Sequence, residues 1–532
     1  MRKSVICVLA LLAALAASCN KGDGERLAQL QDELSALEQA ELPDVPSAPD
    51  VEVLPDGEFA ISFDKQGYGI DAGESVTIRY SLPDAATVEV SARDGWSAAV
   101  SATSPDEGTI VVTAPDPASP TEIVVTAIGE GGRQIASILP LMVRDPYSAS
   151  TRTYVNALGY YNLKPQWATA DNFRKLAEAG LKSVTVECED YDFKQQIALA
   201  HQAGLKSLCI IGWAGGRYAS NPEGYRGLDD IVNYLKEQPG VFAYHICDEP
   251  SIVDIPRLKF IKEKVESLDP EHPVYINLNP DGSVNALGTA SYREYIESYA
   301  RDCGCKFISF DMYPILQGGL VMPGWHKCLR IVADVTREYG IPFWAFAASC
   351  WIDSEGGIVV RGRPSVENLR LQVYTDLAYG AQVVQYFTIQ QYSGTTLAPM
   401  MYNGEWSEAY DYLKEANLQV QNRGFVFDGC SVGKIRFCQT PATWGENLSA
   451  ADLPESIGSL ETSGTALVSF IENRGNSYIA IVNQSYTQKI TAMVSFDGMA
   501  YTIERDGSFA EHLPGSEQFT IDEGDLMVIK VK

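Results

Sequence analysis

The chain has 532 residues, with 41 Lys and Arg against 69 Asp and Glu, a formal charge of −28. At roughly 150 residues per domain this length predicts several domains unless a large barrel takes up much of it. With 45% apolar and 10% aromatic residues the composition excludes disorder for most of the chain. The negative charge, unrelieved by any Lys/Arg-rich run, excludes nucleic acid as a partner.

Arg2 and Lys3 precede an apolar stretch over residues 5–17, too short for a membrane span of about 20 residues but suited to the core of a signal peptide. It ends in Leu15-Ala16-Ala17-Ser18-Cys19, which resembles the lipobox of bacterial lipoproteins. The resemblance implies cleavage before Cys19 and acylation of that cysteine. The expectation is then a protein of the cell envelope, anchored by lipid to the outer membrane on its periplasmic or surface face. Residues 1–18 form the signal peptide and 19–57 the lipidated N-terminus. Within the latter, Leu27, Leu30, Leu34 and Leu37 predict a short amphipathic helix, and Pro43, Pro46, Pro49 and Pro55 an extended linker.

Residues 58–146 carry short alternating runs at 75–81, 87–91, 108–113 and 121–126, separated by Pro, Asp and Gly turns. This pattern predicts a β-sandwich. It resembles the Ig-like modules that precede enzymes in surface lipoproteins of Bacteroidota. Trp96 is either a packing residue or a sugar platform there.

Residues 150–428 alternate strand-like and helical segments eight times. The strands are expected at 154–160, 183–189, 207–213, 242–248, 274–279, 307–313, 343–349 and 383–389. Helices are expected at, among others, 171–179, 228–237, 255–267, 292–302, 326–339, 366–379 and 410–422. The count and length predict a (β/α)8 TIM barrel. A doubly wound sheet would need a glycine-rich phosphate turn after its first strand, and Tyr161-Asn162-Leu163-Lys164-Pro165 has none. Short β runs return over 429–532 and predict a C-terminal β-sandwich. The expected architecture is therefore a TIM barrel flanked by two β-sandwiches.

Of 11 cysteines, Cys7 leaves with the signal and Cys19 takes the lipid. Cys188, Cys209, Cys247 and Cys350 lie in or beside apolar strands and are expected to be reduced core residues. Cys303 and Cys305 have no second pair at zinc-ligand spacing, so no metal site is expected.

A TIM barrel builds its active site at the C-terminal ends of its strands. The residues expected there are Tyr160 and Tyr161, Glu187, Glu189 and Asp190, Trp213, Asp248 and Glu249, Asn277 and Asn279, Asp311 and Tyr313, Ser349 and Trp351, and Gln385, Thr388, Gln390 and Tyr392. Aromatic faces, amides and carboxylates around one mouth suit a sugar ring. Asp248-Glu249-Pro250 after a strand also suits a helix cap.

The stretch Tyr244-His245-Ile246-Cys247-Asp248-Glu249-Pro250 resembles the fourth-strand signature of clan A glycoside hydrolases. Later stretches, 307–314, 341–346 and 371–387, resemble a group of Bacteroidota lipoproteins with a glycosidase-type barrel. The resemblance implies hydrolysis of an O-glycosidic bond in an oligo- or polysaccharide, without a cofactor. Glu249 is then the general acid/base, and Asp248 stands where the family has the asparagine that holds the sugar. The family's nucleophilic glutamate at the end of strand 7 is missing from Phe343-Trp344-Ala345-Phe346-Ala347-Ala348-Ser349. Another acid must serve: Asp311, Glu187 or Glu355. Tyr160, Trp213 and Tyr313 are expected to stack on the substrate, and Asn277, Asn279, Gln385 and Gln390 to hydrogen-bond it. Strand alternation would put His245 and Cys247 on the face of Glu249. The alternative is a glycan-binding surface lipoprotein on a barrel without turnover.

Overall fold

The computed structural model describes residues 60–531 except 66, 83–86, 105, 130–131, 162, 190–191, 283, 317, 353–361, 392–395 and 441–442. Cys19, the leading helix, the proline linker, Asp190, Glu355 and Tyr392 lie outside the described residues. From Ile61 onward the chain forms one compact unit.

It begins with two four-stranded sheets. One orders Ser62–Phe63, Ser75–Ser81, Glu107–Thr113 and Ser97–Ser104; the other orders Tyr68–Ile70, Gln134–Val143, Thr121–Ile128 and Thr87–Ser91. Ile110 and Val112 are buried while Val111 between them is exposed, the two-residue period of a half-buried strand. Trp96 is buried, and its Nε1 donates to the Ser119 carbonyl at 3.2 Å, so it packs this region and offers no sugar platform.

Eight parallel strands then close into a barrel in sequence order: β1 Asn156–Gly159, β2 Ser183–Glu187, β3 Lys206–Ile210, β4 Val241–Asp248, β5 Val274–Leu278, β6 Ile308–Phe310, β7 Phe343–Ala348 and β8 Val383–Phe387. The helices around it are α1 Ala170–Glu178, α2 Phe193–Gln202, α3 Gly212–Ser220, α4 Gly227–Leu235, α5 Ile255–Leu268, α6 Tyr292–Ser298, α7 Trp325–Tyr339, α8 Val366–Ala378 and α9 Glu408–Asn422. The strands are buried on both faces, which is why they read as continuous apolar runs. Leu158, Leu208, Ala243, Tyr275, Phe307, Trp344, Phe346 and Val383 fill the interior, and Phe307 stacks on Trp344 with centroids 4.0 Å apart near the N-terminal strand ends. The third strand stops earlier than the sequence predicts. Gly212 comes so close to the Ile246 carbonyl that a Cβ would sit 2.7 Å from it, and the chain turns there into α3, carrying Trp213 with it.

Two further sheets follow. The larger orders Ser431–Cys438, Ala466–Asn473, Asn476–Asn483, Leu526–Lys530, Ala500–Ile503 and Phe509–His512; the smaller orders Ile457–Thr462, Ile490–Phe496 and Gly515–Ile521. They share a core of Val468, Ile479, Ile481, Ala492, Val494, Phe496 and Ile529. The opposite face of the larger sheet contributes Leu467, Ile471, Tyr478 and Val482 to the core that covers the barrel strands, so the sandwich is seated on the barrel through apolar contact. All nine described cysteines are free thiols, with Cys188, Cys209 and Cys350 buried and Cys247 half-buried.

Arg423 pins that seat. Its side chain is buried, donates to the Leu526 carbonyl at 2.9 Å and to the Tyr374 hydroxyl, and lies 3.7 Å from Asp525. Removing one member of a buried, hydrogen-bonded charge cluster costs about 3 kcal/mol or more. Arg423→Ala is expected to lower stability by about that amount, read as a reduced urea midpoint by tryptophan fluorescence.

Candidate active site

The loop after β4 determines what the mouth can do. A helix cap was one reading of Asp248-Glu249-Pro250, but the cap is made elsewhere. Ser251 Oγ accepts from the Val253 amide at 3.3 Å, and the Ser251 amide donates to Asp254 Oδ2 at 3.1 Å, a reciprocal capping box. Asp248 and Glu249 are left to the barrel mouth.

Pairing between β4 and β5 slips by one residue between His245 and Cys247. This corrects the expected alternation. His245 faces the interior, with Nε2 3.2 Å from the Tyr160 hydroxyl, whereas Cys247 packs into the layer outside the strands. The slip returns Asp248 to the inner row, where Asn277 Nδ2 donates to its carboxylate at 3.0 Å. Burial pushes the His245 imidazole down to about 3, so it is a neutral packing residue under the site.

Beneath Asp248 a hydrogen-bond chain crosses the barrel. Tyr275 OH donates to Gln385 Oε1 at 2.8 Å, Gln385 Nε2 to Ser309 Oγ at 2.9 Å, and Ser309 Oγ to Asn277 Oδ1 at 3.0 Å. Asn277 completes the chain at Asp248. Asn277, Ser309, Tyr275 and Gln385 are buried, and a satisfied buried network of this kind holds its terminal group in one orientation. Asn277 and Gln385, expected from the sequence to hydrogen-bond the substrate, are buried in this chain, which orients Asp248. Ser309 and Tyr275 were not foreseen; their signal was polar residues at inward-facing positions of β5 and β6.

Glu249 has φ +47°, an uncommon conformation for a residue other than glycine. Two hydrogen bonds hold it: its amide donates to the Asn277 carbonyl at 2.9 Å, and its carbonyl accepts from Asn279 Nδ2 at 2.8 Å. Tyr295 on α6 accepts from the Asn279 amide at 3.1 Å and donates to the Pro250 carbonyl at 2.6 Å. Tyr292 donates to the Asn279 carbonyl at 3.2 Å and Tyr299 to the Ser251 carbonyl at 2.7 Å. These three buried tyrosines recur at a helical spacing of three and four, so one face of α6 and the turn after it clamps both loops. That spacing was legible in the sequence, yet it singles out a helix face and not a catalytic loop.

Asp311 follows β6, its amide donating to the Leu278 carbonyl at 3.2 Å. Its carboxyl is buried, and Oδ1 finds no N–H or hydroxyl donor. What the side chain meets is the carboxyl of Glu249, to which it is hydrogen-bonded. Burial first, then the charges of Glu249 and Asp248, raise the Asp311 carboxyl well above the usual carboxylate range. Asp248 is also raised, first by its low position in the mouth and then by Glu249, with the Asn277 amide pulling the other way.

A nucleophile or base opposite the acid stands about 5–5.5 Å or 6.5–9.5 Å from it, whereas the side chain of Asp311 is in contact with Glu249 itself. Glu187 ends β2, on the far side of β3 from β4, with its backbone paired to Ile210.

Three of the expected substrate contacts are placed otherwise. Tyr160 is buried against Phe346, with ring centroids 5.0 Å apart. Trp213 packs from α3 into the layer outside the strands, under the Arg217 guanidinium. Gln390 is buried and accepts from the Lys164 amide at 2.9 Å, holding the loop after β1. Partly exposed rings at the mouth include, among the described residues, Tyr161, Tyr313 and Phe387, with Tyr313 and Tyr161 centred 5.4 and 5.8 Å from Phe387.

The closed barrel and its carboxyl cluster define a (β/α)8-barrel protein with three acids, Asp248, Glu249 and Asp311, at its C-terminal mouth. No family model matches the chain, and no curated protein matches it. Among solved structures it is similar to a family 39 glycoside hydrolase from the gut symbiont Bacteroides cellulosilyticus WH2, at 10% identity over 89% of this chain and 100% of that one, with a TM-score of 0.45. A family 5 glycoside hydrolase from Bacteroides vulgatus ATCC 8482 matches at 12% identity over 76% and 93%, TM-score 0.45. A family 30 subfamily 8 xylanase from Clostridium acetobutylicum matches at 10% identity over 71% and 96%, TM-score 0.38.

Asp311 has a further consequence for stability. Its carboxyl titrates near 3.9 when unfolded and well above that when folded, so the folded state binds the extra proton. The associated stability is fully present below about pH 4 and is lost as pH rises toward the folded value. Asp311→Asn keeps a neutral amide in place of the acid. It is expected to flatten the decline in melting temperature as pH rises above about 4, measured by calorimetry; an unchanged slope would show that Asp311 is ionised in the folded protein.

Proposed function

We propose that this protein hydrolyses an O-glycosidic bond of an oligo- or polysaccharide at the cell envelope, with Glu249 delivering the proton to the leaving oxygen. The observation that carries this reading is the hydrogen bond between Glu249 and the buried, protonation-prone Asp311. General acid catalysis needs a carboxyl open to substrate in surroundings that favour its protonated form, and Glu249 is exposed at the mouth beside buried Asp311. The rings of Tyr161, Tyr313 and Phe387 offer faces for a sugar. The same proposal has Cys19 acylated and the protein tethered to the outer membrane, with the first two sheets, in an Ig-like arrangement, acting as a spacer.

The lack of a carboxylate on β7, whose residues are Phe343 to Ala348, favours a second reading, a surface glycan-binding protein without turnover. Glu249→Gln separates the two. For the enzyme, turnover is expected to fall about 100- to 10,000-fold while calorimetric affinity for the glycan stays within a few-fold. A wild-type protein that binds glycans and releases no reducing ends would instead establish the binding reading.

A further inference from the structure

α6 runs into one turn of π-helix, Tyr299–Cys303, which Gly304 ends at φ +68°. That conformation suits glycine, and it folds the chain back on itself. The amides of Gly304 and Cys305 both donate to the Tyr299 carbonyl, the second at 3.1 Å. The side chains of Cys303 and Cys305 are thereby brought into contact. Two cysteines can be bridged without backbone movement only where the fold already sets them side by side, and this Cys-Gly-Cys turn does so.

The surroundings favour reaction at Cys303. Contact with the Cys305 thiol, and after it the Lys262 and Lys259 cations, hold the Cys303 thiol below its ordinary range against the opposing effect of burial. Lys262 is itself buried, donates to Glu266 at 2.9 Å, and carries its Nζ to 3.9 Å from where a Cβ on Gly304 would stand. A thiol beside cations is the more nucleophilic one at neutral pH. The same contact shifts Cys305 upward, so one cysteine is set to attack and its neighbour to resolve. Cys188 and Cys209 also touch, but burial, Cys209 and Glu187 all raise the Cys188 thiol, and both lie within the barrel wall. Cys303 and Cys305 are buried at a helix end, where local opening exposes a side chain more readily than it does in a barrel strand.

We infer that Cys303 and Cys305 form a reversible dithiol centre that takes a low-molecular-weight disulfide as its oxidant, and that closing it tightens the tyrosine clamp on the loop carrying Glu249. The Cys303 thiolate attacks one sulfur of the small disulfide and expels the other as a thiolate, leaving a mixed disulfide. Cys305 gives its proton to solvent and attacks the Cys303 sulfur, expelling the second small thiolate. Both protein thiols are oxidised to one disulfide, and the small disulfide is reduced to a pair of thiols. The closed ring holds the Gly304 and Cys305 amides on the Tyr299 carbonyl, and the Tyr299 hydroxyl donates to the Ser251 carbonyl at 2.7 Å. The centre therefore acts on the loop through Tyr299, whatever reaction the mouth performs.

The test holds the whole folded protein in buffers of stepped ratio of oxidised to reduced glutathione, quenches with acid, alkylates in denaturant and maps the peptides by mass spectrometry. The peptide carrying Cys303 and Cys305 is expected to lose both alkyl groups as the ratio rises and to regain them after dithiothreitol, while Cys188, Cys209, Cys328 and Cys350 stay alkylated. Hydrogen exchange is then compared between the reduced and oxidised protein. Amides over 299–305 and 251–254 are expected to exchange about 3-fold or more slowly after oxidation, and Cys303→Ser treated with the same oxidant is expected to show no such change. The wild-type comparison stands by itself if that variant fails to fold. A pair that stays fully alkylated at every glutathione ratio, or that is oxidised no sooner than Cys188 and Cys209, overturns the dithiol centre. A disulfide that forms and leaves exchange over 251–254 unmoved or faster overturns its action on the loop.

Discussion

Everything at the barrel mouth follows from one contact, the hydrogen bond between the carboxyls of Asp311 and Glu249. Burial and the charges of Glu249 and Asp248 favour the protonated form of Asp311. Asp311 is buried, whereas Glu249 sits on a loop open to solvent. Asp248 adds a third carboxyl, and its charge raises the Asp311 carboxyl further.

The surrounding structure serves to keep these groups from relaxing apart. From below, the chain Tyr275, Gln385, Ser309 and Asn277 fixes Asp248. From the side, the tyrosines of α6 and its following turn hold the loops after β4 and β5 through backbone carbonyls and an amide. Glu249's positive φ is maintained by two backbone-directed hydrogen bonds. The C-terminal sandwich stiffens the opposite flank by burying one sheet face against α8 and the segment after α9, where Arg423 is clamped between Tyr374 and Leu526.

Much of the fold was legible because its signals are local. Eight apolar runs separated by helical periods gave the closed barrel in the right order, and period-two alternation marked the sheets on either side. Asp248, Glu249 and Asp311 were legible as strand-end carboxylates. What escaped was whatever depends on a shift of one residue or on partners far apart in the chain. The slipped pairing at His245 to Cys247 reverses which of Cys247 and Asp248 faces inward, and no periodicity announces it. Trp213 read as a strand end, but the close approach of Gly212 to Ile246 starts a helix and carries the ring away. Tyr160, Gln385 and Gln390 were rightly placed along the chain; their burial comes from Phe346, Ser309 and Lys164, residues 76 or more positions distant for the first two pairs and 226 for the last.

The central claim is that the Asp311 carboxyl stays protonated at a pH where a free aspartic acid is ionised. Infrared difference spectroscopy reads it directly, through the carbonyl stretch of a protonated carboxyl in wild type and in Asp311→Asn. The account predicts that wild type shows this band above about pH 4 and that the substitution removes it. A wild-type band unchanged by the substitution would contradict the raised Asp311 carboxyl.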